Sequence, residues 1–323
     1  MREMTAIDDA SIDAALDVSI LFATRDRADQ LRETLAAYAT LDTQGLTWEL
    51  IVVDNDSGDA TPDILQQAKQ TLPLTVLHVT AGGQNRARNH AMDCVRGALV
   101  VFTDDDVIPE PGCIKAYHAA AARWPDDSIF GARIIPRFPP GTPAWLTHAD
   151  FAFASTAFAR YAPRDDEGPV KIHPYGPSFA LRRAAVIGRR FPEHLGPQAG
   201  SYAMGGEAAY LGSLAREGHR YIHVPTARVC HVVRPEQTDA GWLFRRARNK
   251  GRGQVYLPSD KKPRRLYVRG MPLKLLLAVG RAWLRTRLAH WFATHERYIT
   301  AGITFELRFG QLLERYKHRG QVP

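Results

Sequence analysis

Ala98-Leu99-Val100-Val101-Phe102-Thr103-Asp104-Asp105-Asp106 is an apolar run rich in β-branched residues that ends abruptly in three acids. Such a segment reads as a short buried strand. Its carboxyl end delivers carboxylates to the rim of a sheet, where a hard divalent cation bridging a diphosphate would find oxygen ligands. On an extended backbone side chains alternate, so Asp104 and Asp106 are expected on one side and Asp105 on the other. Outward from this strand, short apolar segments alternate with helical ones. Residues 18–23, 48–53 and 74–79 read as strands, and helices are expected over 28–38, after Asp59 or Thr61 as cap with Pro62 in the first turn, and over 85–96. This order predicts an α/β fold with a central, mostly parallel sheet. Polar residues following the strands mark a ligand crevice. Gly82-Gly83 lacks the third glycine of a dinucleotide fingerprint.

Composition bounds the rest. With 323 residues, 45% apolar and 24% charged, the chain is long enough for one large or two smaller cores. Residues 1–17 hold five acids and no continuous apolar stretch. They read as a loose N-terminal arm without a targeting pattern, which makes the cytoplasm the expected location. Cys94, Cys113 and Cys230 have no metal-like spacing and are expected to be packing residues. Charge is unevenly distributed: residues 234–323 carry 20 Lys/Arg against 6 Asp/Glu, whereas residues 1–233 carry 22 against 28. The basic segment suits an anionic membrane surface at the inner face, and nucleic acid is not an expected partner.

The chain divides into an arm at 1–17, a part of alternating strands and helices at 18–135, a looser part at 136–233, and a basic helical region at 234–323. A helix is expected over 112–123, followed by a loop-rich stretch at 138–176. A second ordered unit begins near Ser178, with a helix over 207–217 that Gly218 terminates. Beyond Gly241 the chain is helical and basic. Lys261-Lys262-Pro263-Arg264-Arg265 precedes an apolar segment, but Lys274 and Arg281 bracket only six residues, too few to cross a bilayer. A helical hairpin with a solvated basic face and a helix lying on an anionic membrane both fit this composition.

Taken together, the strand with its Thr24-Arg25-Asp26-Arg27 loop, Val52-Val53-Asp54-Asn55-Asp56-Ser57, Ala87-Arg88-Asn89, Asp104-Asp105-Asp106 and Gly205-Gly206-Glu207 resemble the family 2 inverting, nucleotide-sugar-dependent glycosyltransferases with the GT-A fold. The resemblance covers residues 18–233 and implies that 18–135 is the nucleotide-sugar-binding part and 136–233 the acceptor-side and catalytic part. It implies sugar transfer from a nucleoside-diphosphate sugar, with a UDP-linked donor favoured, to the hydroxyl of an acceptor. That acceptor is a lipid-linked saccharide or a small hydroxylated molecule. Mn²⁺ or Mg²⁺ is the implied cofactor.

Residue roles follow from the same resemblance. Asp54 would accept the imide N–H of a uracil or thymine, with Thr24 and Asp26 in the same pocket; a turn carboxylate is the alternative for Asp54. Arg88 matches the arginine near the nucleotide, or else bridges the crevice as an ion pair. Asp104 would reach the ribose or a metal-bound water, Asp105 would make a supporting bond, and Asp106 with His231 would hold the cation. Arg228 and Arg234 are weaker candidates for phosphate contacts. The family commonly has Glu-Asp after its glycines, whereas this chain has Glu207-Ala208. Alanine accepts no proton, so the base role moves to Glu207 or to another carboxylate of the acceptor region, or else activity is reduced or unusual; helix capping or acceptor binding is the alternative role for Glu207. A nucleotidyltransferase and a noncatalytic nucleotide-sugar sensor are the competing functions.

Overall fold

The computed structural model describes residues 16–80, 82–148, 150–198, 201–258, 266–268 and 270–319. Most of the expected N-terminal arm and the Lys261–Arg265 basic cluster lie outside them. The first half alternates as expected: β1 (Leu16–Thr24), α1 (Ala28–Tyr38), β2 (Trp48–Asp54), α2 (Thr61–Ala68), β3 (Leu74–His78), α3 (Gln84–Met92) and β4 (Gly97–Thr103). A three-residue strand, β5 (Val107–Pro109), leads to α4 (Cys113–Arg123) and β6 (Ile129–Arg137). Two short helices, α5 (Ala144–Thr147) and α6 (Ala154–Phe158), and β7 (Gly168–Val170) occupy the loop-rich stretch. Then follow β8 (Ser178–Arg182), the hairpin β9 (Gly196–Gln198) and β10 (Ser201–Ala203), α7 (Gly206–Arg216), and β11 (Tyr221–Val232). The chain closes with α8 (Ala240–Gly253), α9 (Leu273–Phe292) and α10 (His295–Lys317).

The central sheet runs β3-β2-β1-β4-β8-β6-β11-β5, with β7 on β11. The block β3-β2-β1-β4 is parallel; β8 runs against β4 and β6, and β6 and β11 are again parallel to one another. The period-two side-chain pattern explains why both faces are covered. Val18, Ile20, Phe22, Leu50, Val52, Leu99 and Val101 pack in one layer with Leu31, Leu35, Ile64 and Tyr117 from α1, α2 and α4. Leu21, Ile51, Val53, Val100 and Phe102 pack on the other face with Ala87 and Ala91 of α3 and Leu211 and Leu214 of α7. A third apolar cluster joins α5 and α6 to α8 and α10 through Leu146, Phe158, Leu243, Ala247, Ile299 and Ile303.

One local expectation changes. β4 ends at Thr103 and the chain turns before β5, so the strict alternation expected for Asp104, Asp105 and Asp106 does not hold. β11 is one long strand with a register shift between Val224 and Arg228. α10 packs on α8, and α9 packs on α10. Cys113 is buried and all three cysteines are free thiols, Cys94 and Cys230 being half-buried.

Candidate active site

Parallel strands present their carboxyl ends along one edge, and a cleft of about 820 Å³ opens there. Its floor comes from Ala23 and Thr24 at the end of β1, Asn55 after β2 and Asp104, Asp105 and Asp106 after β4. The starts of α3 and α7 supply Gln84, Asn85, Gly205 and Glu207. Gly205, at φ 125°, turns the chain sharply into α7 in a conformation that a side chain would oppose.

Arg88 organises the centre. Its side chain is fully buried, and Nη2 donates to Asp104 Oδ1 at 2.7 Å while Nη1 donates to Glu207 Oε1 at 2.7 Å. The crevice ion pair is therefore realised, and it joins an acid from the strand end to an acid from a helix start. Gln84 Nε2 donates to the same Asp104 oxygen at 2.9 Å. Burial pushes the Glu207 carboxyl up, but the Arg88 charge and hydrogen bond outweigh it and hold the group below the usual range. Glu207 is thus a carboxylate at neutral pH. A Cβ at Gly176 would lie 2.9 Å from Glu207 Oε1, so this glycine makes room for the acid. Asn89 steadies the motif from behind by exchanging hydrogen bonds with the backbone of Phe191 at 3.0 and 2.8 Å.

The other two acids differ. Asp105 accepts from Thr24 Oγ1 at 2.8 Å, and its carbonyl accepts from Thr34. Burial and the Asp106 charge push Asp105 up to about 7, while burial and the Asp104 charge push Asp106 up to about 7. Crowded, desolvated carboxylates of this kind resist ionisation until positive charge arrives. His231 stands beside Asp106 because β11 pairs with β5, His231 opposite Val107. The gap from His231 Nε2 to Asp106 Oδ1 is 3.6 Å, and His231 Nδ1 lies 3.0 Å from the Phe158 carbonyl. A carbonyl only accepts, so Nδ1 carries the proton. Burial keeps the ring neutral, and Nε2 then turns a lone pair toward the acid. Among the described residues no three His, Cys, Asp or Glu side chains form a cation cage. The pair Asp106 and His231 fits a divalent cation that completes its shell with ligand oxygens.

Thr24, Asp104, Asp105, Asp106, Glu207 and His231 all line the cleft. Asp54 and Asp26 are not among its lining residues. Asp54 is buried, accepts the Ser57 N–H at 3.1 Å and lies 3.5 Å from His78 Nδ1. Asp26 accepts the Gly58 N–H at 2.8 Å, tying the β1 loop to the β2 loop. Arg234 lines the cleft; Arg228 does not. Sequence reasoning passed over Asn55, whose buried Oδ1 has no hydrogen-bond partner among the described residues. It also passed over His173 and Tyr202, and over Trp242, Arg246, Lys250 and Gln254 of α8, which a four-residue spacing could have placed on one helix face.

The family model "Glycosyl transferase family 2" matches residues 19–191. Over 92 residues the chain is 33% identical to the putative teichuronic acid biosynthesis glycosyltransferase TuaG of Bacillus subtilis (strain 168), covering 28% of this chain and 35% of that protein. Over 95 residues it is 30% identical to the putative glycosyltransferase EpsH of the same organism, covering 29% and 27%. The matched stretches span about a third of these relatives' lengths. Among solved structures, the mannosyltransferase PcManGT from Pyrobaculum calidifontis, in complex with GDP-Man and Mn²⁺, has a TM-score of 0.59 at 18% identity over 94% of this chain and 90% of that one. S. aureus TarS with UDP-GlcNAc has a TM-score of 0.54 at 14% identity, covering 94% and 92%. These two likenesses show a shared GT-A glycosyltransferase fold. The family match runs over more than half of the 323 residues and includes Arg88 and the acid cluster, so the chain belongs to glycosyl transferase family 2.

Proposed function

We propose that this chain transfers a sugar from a nucleoside-diphosphate sugar to an acceptor hydroxyl with inversion at the anomeric carbon. The observation that carries this reading is the Asp104–Arg88–Glu207 bridge at the floor of the cleft. It sets an ionised carboxylate next to the acid cluster where a diphosphate is to be held. Glu207 takes the proton of the acceptor hydroxyl as that oxygen forms its bond to the anomeric carbon. The bond from that carbon to the diphosphate oxygen breaks on the opposite face, and the nucleoside diphosphate leaves with the electron pair. Asp106 and His231 hold Mn²⁺ or Mg²⁺, which supplies positive charge to the leaving group when bound.

The nucleobase end falls at the carboxyl ends of β1 and β2, beside Thr24 and Asn55. A UDP-linked donor is supported by Asn55, which lines the cleft and whose Oδ1, an acceptor for an imide N–H, has no partner among the described residues. We also assign an anionic membrane surface as the partner of α9. Its Leu277, Trp283, Leu284, Leu288, Trp291 and Phe292 are all exposed, with basic residues between them. A lipid-linked saccharide is the acceptor that such a surface would bring within reach.

A mass-resolved transfer screen tests the reaction, with UDP-, dTDP- and GDP-sugars against lipid-linked and soluble acceptors in Mn²⁺ or Mg²⁺. The expected product is inverted, with nucleoside diphosphate released. Glu207→Gln should lower turnover by about 10² to 10⁴-fold with donor affinity nearly intact. Retained configuration, released pyrophosphate or full activity of the variant would each overturn the assignment.

A further inference from the structure

One face of α8 is a wall of the cleft, since Trp242, Arg246, Lys250 and Gln254 recur every four residues and all line it. Several neighbouring cations have acid partners: Arg88 has Asp104 and Glu207, Arg25 has Asp26, and Arg234 has Glu236. Arg246 and Lys250 differ. Among the described residues neither forms a salt bridge, and both are anchored to the same neutral residue of α6. Arg246 Nε donates to the Thr156 carbonyl at 3.2 Å and Nη1 to the Tyr202 hydroxyl at 2.8 Å. Lys250 Nζ donates to Thr156 Oγ1 at 2.7 Å. The guanidinium Nη2 and two ammonium N–H groups remain to meet a ligand.

Setting two cations one helical turn apart inside a cleft is unfavourable unless an anion joins them. Burial, then the Arg246 charge, pulls the Lys250 ammonium below its ordinary pKa. Holding Thr156 alone would not require charge.

We propose that Arg246 and Lys250 form an anion subsite that takes a phosphate or carboxylate carried by the acceptor. The assignment rests on the transfer reaction proposed above. Its placement on the acceptor side comes from the anchors themselves, Thr156 of α6 and Tyr202 of β10, which line the same cleft and belong to residues 136–233. Arg27, from the loop after β1, reaches both Asp105 and Asp106 at the donor end, and the Arg246 charge also reaches Asp106 and His231, so Arg246 stands between the donor end and the acceptor side. The acceptor class is accordingly an anionic saccharide or a saccharide on a phosphate-bearing carrier, and the anion is bound at the same time as the donor diphosphate.

The test is a titration of the full chain with inorganic phosphate in Mg²⁺, with and without saturating UDP, read by ³¹P NMR and calorimetry. Phosphate is expected to bind while UDP stays bound. Lys250→Gln and Arg246→Gln should each weaken phosphate by about tenfold or more, the loss of one charge-assisted contact, and change UDP affinity by less than about threefold. Lys250→Arg should retain phosphate binding, which separates loss of charge from loss of folding. Competition between phosphate and UDP, or a matching loss of UDP affinity in the variants, would assign these cations to the donor diphosphate and end the proposal. Absence of phosphate binding with and without UDP would end it too. Failure of UDP to bind while phosphate still does would instead count against the donor reading.

Discussion

His223 is fully buried in β11, with the edge of Tyr161 at 5.5 Å, against the backbone of Gly131 and Arg164. Burial, then the Arg133 charge, pushes its imidazole down to about 4. The unfolded chain takes up that proton near pH 6.5, so as pH falls below this value the unfolded state binds protons first and the fold loses stability. The loss continues until the folded group titrates, at a slope of up to about 1.4 kcal/mol per pH unit. His223→Leu should remove this component, making the stability lost between pH 7 and 5 smaller by about 1–2 kcal/mol in urea unfolding. An unchanged pH profile would show the ring to be easily protonated in place. The functional residues legible from sequence share one property, that each belongs to a local pattern. Asp104, Asp105 and Asp106 end a strand, and Glu207 starts a helix after two glycines. Asn55 follows β2 as the acids follow β4, but its neutral amide does not mark it as charge marks them, and His173 has no local signature because only tertiary contact brings it to the cleft.

At the level of elements, α8 depends on α10 for its position. The helices approach so closely that a Cβ at Gly251 would lie 2.0 Å from the Leu307 carbonyl oxygen, and one at Gly310 would lie 2.1 Å from that of Arg248. Both obstacles are backbone, which cannot swing aside. Arg248–Glu306 and Arg252–Glu314 ion pairs lock the same pair of helices. Gly251→Ala gains about 1 kcal/mol of helix propensity, yet the clash should dominate and leave a net loss of about 1–3 kcal/mol. Gly280 of α9 has nothing within 4 Å of an added Cβ, so Gly280→Ala should instead stabilise by about 1 kcal/mol. Thermal unfolding of the two variants checks both signs. Equal shifts would mean that the helices can separate without penalty. The α1 limits and most of the first four strands were legible because period-two and helical patterns there are clean. β5 was not, since three residues carry no periodicity. Its pairing with β11, which sets His231 beside Asp106, depends on a contact across more than a hundred residues.

At the level of the molecule, the basic excess of residues 234–323 separates into three parts. On α8, Arg248 and Arg252 are neutralised by acids of α10, whereas Arg246 and Lys250 face the cleft. The remainder includes α9, whose sole buried residue is Ala282. Its sequence conceals its amphipathic character because both sides are apolar, one packed toward α10 and the other open. Leu277, Leu284, Leu288 and Trp291 fall on one exposed stripe, with Lys274, Arg281 and Arg285 along one flank and Arg287 along the other. Among the described residues no helix is long and apolar enough to cross a membrane. On the membrane reading proposed above, a helix with leucines outermost and long basic chains beside them would lie in the interfacial plane, its cations reaching lipid phosphates. The full chain should therefore sediment with vesicles of mixed phosphatidylglycerol and phosphatidylcholine, with a blue shift in tryptophan fluorescence, and bind more weakly as salt rises. Phosphatidylcholine vesicles should hold little of it. Replacing Leu284 and Trp291 together by Gln removes about 3–6 kcal/mol of apolar insertion, enough to abolish sedimentation, while transfer to a soluble acceptor stays unchanged. Equal binding to neutral and anionic vesicles, or none to either, would show that α9 does not serve as the membrane face.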